Sequence, residues 1–587
     1  MNNKNLRTFL FIFIVCYFLN APSANSQWTE SIGGKNADYG QSITTDANGN
    51  VYVIGNFSGK ADFDPGADTF FLKSNCPCDE SNPLKPDIFF AKYNKAGALV
   101  WARKVGGSGN DDGKDIGVDA AGNVYITGTF EATANFSGGP STSSTAGKLT
   151  SNGGLDIFLA KYNSNGILIW ANNIGGASFD YGNSLSVSSA GVITIAGAFN
   201  GNVDFDPSSN NTFMDAGSSS DPFFARYTTN GNLVWIKDIA GSGESAAQSI
   251  FIDSSGGIYL TGNFFGTSDF NTGAGTFSLT GTDAKDIFYA KYNSNGALLW
   301  ADRVGGFGDQ AGLSITADNT GNVYAAGYFQ GTVDFDPGAG VFNLSSPAFF
   351  NAYLLKLNSN GSFGWVKNIG GSQDDVGFSV AVDAKQTVYT AGYFTGTINL
   401  GSSTTLTSAG STDIYIARYN AAGKLLYANQ SGGVTDDWAQ AIATDANGFV
   451  YLTGYYTGTA TFDFQNSVTL TSAGNADVYI SKFKAVKNTP GVAPEEDLYS
   501  FQKATNDKSA AVDIFPNPVK DVMHVHIKDA SVAQILITDV TGTPLIKMNA
   551  VKQDENISLS RLHTGTYLVQ LSDKSNRIIG TAKIFKQ

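Results

Sequence analysis

Acidic side chains recur in one short motif along the chain, as GGKNADYG, GGSGNDDG, GGASFDYG, AGSGESAA, GGFGDQAG, GGSQDDVG and GGVTDDWA. These loops bring Asp38, Asp111, Asp112, Asp180, Glu244, Asp309, Asp374, Asp375, Asp436 and Asp437 into related places. A second acidic series opens a strand-like run in each unit: Asp87, Asp156, Asp221, Asp286, Asp413 and Asp477, with Asn351 in the fifth. If the loops share one face, Asp38, Asp111, Asp112, Asp180, Asp309, Asp374, Asp375, Asp436 and Asp437 form an acidic face able to hold Ca²⁺, a hard cation that takes several oxygens, or a cationic or sugar ligand. Repeated Asp at loop ends also accepts backbone N–H bonds and fixes turns, which is the commoner use. The sequence requires no cofactor.

Other chemistry is thinly represented. All three histidines, His524, His526 and His563, lie near the C-terminus, so residues 27 to 485 contain none. That region therefore lacks Ser-His-Asp and Cys-His arrangements, His metal centres and a histidine base. His524 and His526 alternate along one run, but two ligands are few for a metal. DFDPGA at Asp62 and Asp334, with DFDPS at Asp204, lacks the further oxygens of a calcium loop and reads as a decorated turn. Lys92, Lys161, Arg226, Lys291, Lys356, Arg418 and Lys482 recur at one position and are expected to form ion pairs between units. With no catalytic motif, the expectation is a non-enzymatic binding or adhesion scaffold; the alternative, a glycan hydrolase or lyase using paired carboxylates, needs one unit to break the pattern.

The elements that must position these residues are strands. Trp28, Trp101, Trp170, Trp235, Trp300, Trp365 and Tyr427 mark a regular period. Each unit shows four strand-like runs, as in QSITTD, NVYVIGNF, DIFFAKY and ALVWARKV, joined by DANG and YNKAGAL turns. Four strands per unit is one propeller blade. A glycine recurs in the second strand (Gly55, Gly128, Gly197, Gly262, Gly327, Gly392, Gly454), which marks close approach, expected from an aromatic of the next blade. The last unit lacks its fourth strand, whereas QWTESIGG at the start is an orphan. Pairing the two closes seven blades into a ring; an open solenoid is the alternative.

Composition agrees, with 68 glycines and 15% charged residues in 587. Residues 1–26 read as a secretory signal peptide, with Lys4 and Arg7 before an apolar run and small residues at the exit. Without it, 35 Lys and Arg stand against 51 Asp and Glu, near −16, which disfavours nucleic acid and anionic membranes as partners. No transmembrane segment is expected in the mature chain, which reads as a monomer. Cys76 and Cys78 could form only a strained local disulfide and read as a loop ornament. Residues 27–486 are thus the propeller, 487–511 a Pro-containing charged linker, and 512–587 a small β-sandwich of about seven strands. The largest departures from the repeat, 73–86 and 137–154, are the first places to seek a specific contact.

Two resemblances follow from these residues. Residues 27 to about 485 resemble the bacterial seven-bladed β-propeller (SBBP) repeat proteins, which implies a fold and little about function. The tail resembles the type A C-terminal sorting domain of the type IX secretion system of Bacteroidota. The residues that carry this are FPNPVKD (Phe515, Pro516, Asn517, Pro518 through Asp521), DVTG (Asp539 to Gly542), Leu562, Gly565 to Tyr567, and KIFK from Lys583. Phe515 stands where Tyr is commoner. This resemblance implies passage through the periplasm, engagement of the type IX machinery, and a product released or attached at the cell surface, where its partner would be an extracellular protein or glycan.

Overall fold

The computed structural model describes residues 27–75, 85–138, 147–282, 284–401, 404–464 and 467–485, then 512–515, 521–527, 532–539, 544–549, 554–562, 565–574 and 578–586. The signal peptide, Cys76, Cys78, the linker, Pro516, Asn517, Pro518, Gly542 and His563 lie outside the described residues. The chain divides into two compact units, Met1–Ala485 and Val486–Gln587.

The first unit is all β. Its first blade pairs Asp38–Thr45, Val51–Phe57, Asp87–Tyr93 and Leu99–Gly107 in that order, every pair antiparallel. The pattern returns down the chain, and the innermost strands are Asp38–Thr45, Asp111–Val118, Tyr181–Val187, Ala246–Ile252, Gln310–Ala317, Val376–Val382 and Asp437–Thr444. Each touches the next, and the last touches the first, so the seven blades form a closed β-propeller. The final blade takes its outer strand from the other end of the chain: Trp28–Gly34 pairs with Val468–Phe483, Trp28 opposite Lys482 and Ile32 opposite Val478.

The DANGNVY motif shows why the inner hairpin repeats. Asp46 Oδ1 accepts the N–H groups of Asn48 and Asn50, both at 2.9 Å, and Oδ2 accepts the Tyr52 hydroxyl. One carboxylate thus closes the turn and seats a buried tyrosine. The same bond to tyrosine is made by Asp119, Asp253, Asp318, Asp383 and Asp445.

Adjacent blades are joined by packing, side chains and backbone. The apolar clusters span neighbouring blades: Val51, Val53 and Phe89 of the first pack with Tyr451, Val478 and Ile480 of the last. Trp101 lies over Gly166 in the outer hairpin of the following blade and donates Nε1–H to Ser164 O at 3.0 Å. Trp28, Trp170, Trp300 and Trp365 make the same bond to Lys95, Thr229, Ser359 and Ala421. At every junction a glycine at the end of the fourth strand bridges to the next blade, as in Gly106 to Asn135 and Gly175 to Asp204; six junctions carry a glycine pair there and the remaining one Ala240–Gly241.

Two expectations are corrected. Among the described residues Lys92, Lys161, Arg226, Lys291, Lys356 and Arg418 show no ion pair between blades: Lys161 lies 5.1 Å from the Tyr125 ring centroid and donates to Thr229 O of the next blade. Lys356 and Arg226 likewise donate to Ala421 O and Ser294 O. The nearby Asp119-type carboxylate is already filled by its own turn, so the cation keeps the ring face and a neighbouring carbonyl. The second-strand glycine also faces its own blade. A bulge in the innermost strand pushes the Tyr181 carbonyl toward Gly197, and a Cβ there would stand 1.8 Å from that oxygen.

The second unit has seven described strands in two sheets, one of Val512–Phe515, Val522–Ile527 and Asp554–Ser558, the other of Pro544–Asn549, Gln534–Asp539, Gly565–Ser572 and Ile578–Lys586. Met523, Val525, Ile535, Ile537, Val569 and Ile584 fill the space between them.

Gly197→Ala is expected to destabilise the propeller by about 2–4 kcal/mol, because carbonyl and methyl cannot share that space without moving the bulge. Urea unfolding of the mature chain measures it; an unchanged midpoint would refute the steric account.

Candidate functional site

The acidic loops do lie together, each linking the outer strand of one blade to the innermost strand of the next, and we call their side of the ring the loop face. Their aspartates divide into two kinds. Asp38, Asp111, Asp180, Asp375 and Asp437 are buried. Asp38 accepts the N–H groups of Gly34 at 2.7 Å and Ser58 at 3.1 Å. Gly107 donates likewise to Asp111, Gly176 to Asp180, Gly371 to Asp375 and Gly433 to Asp437. These carboxylates build the junction. Asp112 and Asp374 are half-buried, whereas Asp309 and Asp436 are exposed.

Counting four residues from the second glycine of each pair locates the buried position, and in two junctions it is not acidic: Ser245 and Gln310 stand there. Glu244 and Asp309, which the sequence reading placed in the ring, lie one residue earlier and project outward. The register from the glycine pair was the signal for this.

The second acidic series is buried too and meets the first. A Cβ on Gly33 would stand 2.5 Å from Asp477 Oδ1 and 3.0 Å from Asp38 Oδ2; on Gly106, 2.6 Å from Asp87 Oδ1 and 2.9 Å from Asp111 Oδ2; on Gly432, 2.7 Å from Asp413 Oδ1 and 2.8 Å from Asp437 Oδ2. At these three junctions the first glycine of the pair therefore leaves room for two carboxyl groups. Oδ1 of Asp87, Asp111, Asp156, Asp413 and Asp477 has no hydrogen-bond partner among the described residues. A third residue, from the fourth strand, varies between junctions: Lys104 pairs with Asp87 at 3.3 Å and Arg303 with Asp286 at 2.6 Å, while Asn368 bonds Asn351.

Burial and mutual repulsion keep protons on these pairs. Burial, with the Asp477 charge adding to it, pushes Asp38 up to about 8, and burial alone takes Asp477 to about 6. Burial raises Asp375 and Asp437 to about 7, helped by Asp374 for the first and Asp413 and Asp436 for the second. The hairpin residues Asp119, Asp253 and Asp318 behave oppositely: for Asp119, partial burial is outweighed by hydrogen bonds from Asn123, Tyr125 and Ala121, which hold it below the usual carboxylate range. Among the described residues no three Asp, Glu, His or Cys side chains converge as metal ligands, and the pairs fall short of the roughly six to eight oxygens that Ca²⁺ gathers. Asp62, Asp204 and Asp334 each accept two N–H groups of their own turn. In the tail, His524 Nδ1 contacts Asn556 Oδ1, and Asp521 pairs with Lys586 at 3.4 Å. Leu562 and Tyr567 pack in the sandwich.

The loop face is also where the repeat is broken. Exposed apolar residues elsewhere recur with the period: Val100, Ile169, Val234 and Leu299 precede the tryptophans, and Phe70, Phe277 and Phe342 follow the DFDPGA-type turns. On the loop face they are irregular: Phe179, Phe265, Phe307 (79% exposed), Phe349 and Val434 (75% exposed). Over the fourth blade, Glu244, Phe265, Lys285 and Asp309 line a concavity of ≈ 530 Å³, with Lys285 and Glu244 3.8 Å apart. This concavity lies at the two junctions where the buried aspartate is missing.

Comparison with known proteins places these features. Residues 513–587 match the family described as Secretion system C-terminal sorting domain, and residues 27–59 and 100–129 match Beta-propeller repeat. An uncharacterized WD repeat-containing protein of Acanthamoeba polyphaga mimivirus is 25% identical over 436 residues, which is 65% of this chain and 31% of that protein. Regulatory protein FlaEY of Caulobacter vibrioides is 26% identical over 243 residues, 39% of this chain and 23% of its own length. The chain thus spans about a third and a quarter of these relatives. Among solved structures, Sqt1 from Chaetomium thermophilum aligns with TM-score 0.34 and 8% identity over 80% of this chain and 88% of its own. PorZ, a surface component of the type-IX secretion system of Porphyromonas gingivalis, aligns with TM-score 0.21 and 12% identity over 93% and 81%. Among the described residues no helix is long and apolar enough to cross a membrane.

The paired carboxyls set a pH dependence. Each holds its proton more tightly folded than unfolded, so the stability they contribute is fully present near pH 4 and is lost as the pH rises through about 6 to 8. Urea unfolding is expected to give a higher midpoint at pH 5 than at pH 8. Asp477→Asn, which copies the natural Asn351, is expected to recover about 1–2 kcal/mol at pH 8 and little at pH 5. A midpoint that rises toward pH 8 would refute the assignment.

Proposed function

Because the chain joins SBBP β-propeller repeats to a type IX secretion C-terminal sorting domain, and is thereby a secreted or cell-surface protein, we propose that its propeller is a non-enzymatic scaffold holding an extracellular protein or glycan on the loop face. The tail engages the type IX machinery, and the propeller acts as a monomer. One observation carries the reading: the loop face is where exposed apolar side chains depart from the sevenfold pattern, with Phe307 and Val434 where other blades place Ser, Lys or Ala, Phe179 where they place Asp, Glu, Asn or Ala, and Phe265 where they place Ser, Thr, Asn, Gln or Glu. A ring closes without them, so they answer to something outside it. The recurring acids support the same reading, since the buried ones are engaged in turns and junctions.

The test uses the mature chain, presented with a panel of polysaccharides and extracellular proteins, alongside an assay for released reducing ends. Expected is saturable binding, weakened at least about tenfold by Phe307→Asp, with no reducing ends released. Release abolished by Glu244→Gln together with Asp309→Asn would establish the hydrolase alternative instead. Binding indifferent to Phe307→Asp would move the partner off this face.

A further inference from the structure

At the loop-face end of the innermost strands, each blade sets one residue beside its cross-strand partner on the second strand. The pairs are Tyr39 with Asn56, Asp112 with Thr129, Tyr181 with Ala198, Ala246 with Asn263, Ala311 with Tyr328, Val376 with Tyr393 and Trp438 with Tyr455. Small and polar pairs close the second and fourth blades, so the fold does not need aromatic rings here. On the sixth, seventh and first blades the rings form one continuous pile. Tyr393 stacks on Trp438 at 4.3 Å and 21°, Phe378 on Trp438 at 5.7 Å, Trp438 meets Tyr455 at 5.3 Å, and Tyr455 meets Tyr39 edge-on at 4.9 Å. The first four are half-buried and Tyr39 is exposed, so the pile remains open on one side.

Polar groups are fixed beside it. Trp438 Nε1–H donates to Thr412 Oγ1 at 2.7 Å, and Thr412 and Ser411 donate to Asp436 Oδ1 at 2.9 and 2.6 Å. These bonds, against slight burial, hold Asp436 below the usual carboxylate range. Its second oxygen accepts no protein hydrogen bond among the described residues, and the hydroxyls of Tyr39, Tyr393 and Tyr455 have no protein partner there.

We propose that this pile, with Asp436, is a binding site for a neutral oligosaccharide of pyranose units. The inference rests on the binding-scaffold reading and names its ligand class. A pyranose ring has a C–H face, which aromatic surface removes from water, and vicinal hydroxyls, which a pre-oriented carboxylate and phenols receive; few other ligands match both. An anionic sugar would meet Asp374 and Asp436 and a chain of formal charge −14. An ammonium ligand needs several ring faces turned around one point, whereas here Phe378, Tyr393 and Trp438 stack on one another and Tyr39 meets Tyr455 edge-on, which leaves single ring surfaces and not a cage.

The experiment is titration calorimetry of the mature chain with cellohexaose, laminarihexaose, xylohexaose, mannohexaose and chitohexaose, with hexagalacturonate as the anionic comparator. At least one neutral sugar is expected to bind saturably and hexagalacturonate is not. Trp438→Ala and Asp436→Asn are expected to weaken that binding at least about tenfold and the surface change Tyr39→Ala about threefold. Tyr39→Ala and Asp436→Asn keep the test decisive if Trp438→Ala does not fold. Phe307→Asp should leave short-sugar binding unchanged. No binding by any neutral hexasaccharide, binding indifferent to these variants, or a proline-rich peptide bound there instead would overturn the proposal. Macromolecular binding that Phe307→Asp still disrupts would then leave the scaffold reading intact.

Discussion

The pairing of Trp28–Ile32 with Val478–Lys482 is the constraint on which the propeller rests. Each apolar cluster is shared by neighbouring blades, so no blade has a core of its own. An open array would leave one unpaired strand edge and two half-covered sheet faces. The closing strand removes both ends at once. It also completes the seventh junction, because its Gly33 and Gly34 bridge to the first blade and enclose the Asp477–Asp38 pair. The loop face is level, and its unlike side chains can act together, because all seven junctions are built to one pattern.

That pattern uses the same residue type in two electrostatic states. At the inner hairpins an aspartate collects N–H and hydroxyl donors, which favour its charge. At several junctions two aspartates share a space that excludes water, and the pair is tolerable when a proton stays on it or when Lys104 intervenes; elsewhere Asn351 or Gln310 replaces one member. The variety of third residues suggests that several local solutions satisfy one requirement. The fourth blade, where Ser245 replaces the junction aspartate, and the fifth, where Gln310 does, satisfy it by leaving the acid out; there the loop acids turn outward and the face opens.

The architecture was legible in the sequence because its determinants repeat. The tryptophan period, the DANG turns and the orphan QWTESIGG sufficed for strand order and closure, since the first two record contacts that recur in most blades and the third is the strand that the last blade lacks. The sandwich was legible from alternation alone. The sites were less so. Asp309 and Asp436 look alike in their loops, yet one lies over a concavity and the other beside an indole, and the difference comes from residues contributed by adjacent blades. The cation at the Lys161 position was assigned to the right interface and the wrong partner, because sequence does not reveal that the nearby carboxylate is already engaged. The aromatic pile was invisible for the same reason: Phe378, Tyr393 and Trp438 occupy unlike places in their repeats, and the contacts that join them into one pile run from blade to blade.

Closure by the N-terminal strand also sets an order of events. Thr29 and Ser481, which meet in the closing pair, are 452 residues apart, so the ring cannot form until its last blade has been synthesised. Until then the first and last blades each expose an uncovered sheet face, so the apolar cluster that joins Val51, Val53 and Phe89 to Tyr451, Val478 and Ile480 is the last of the ring to be completed.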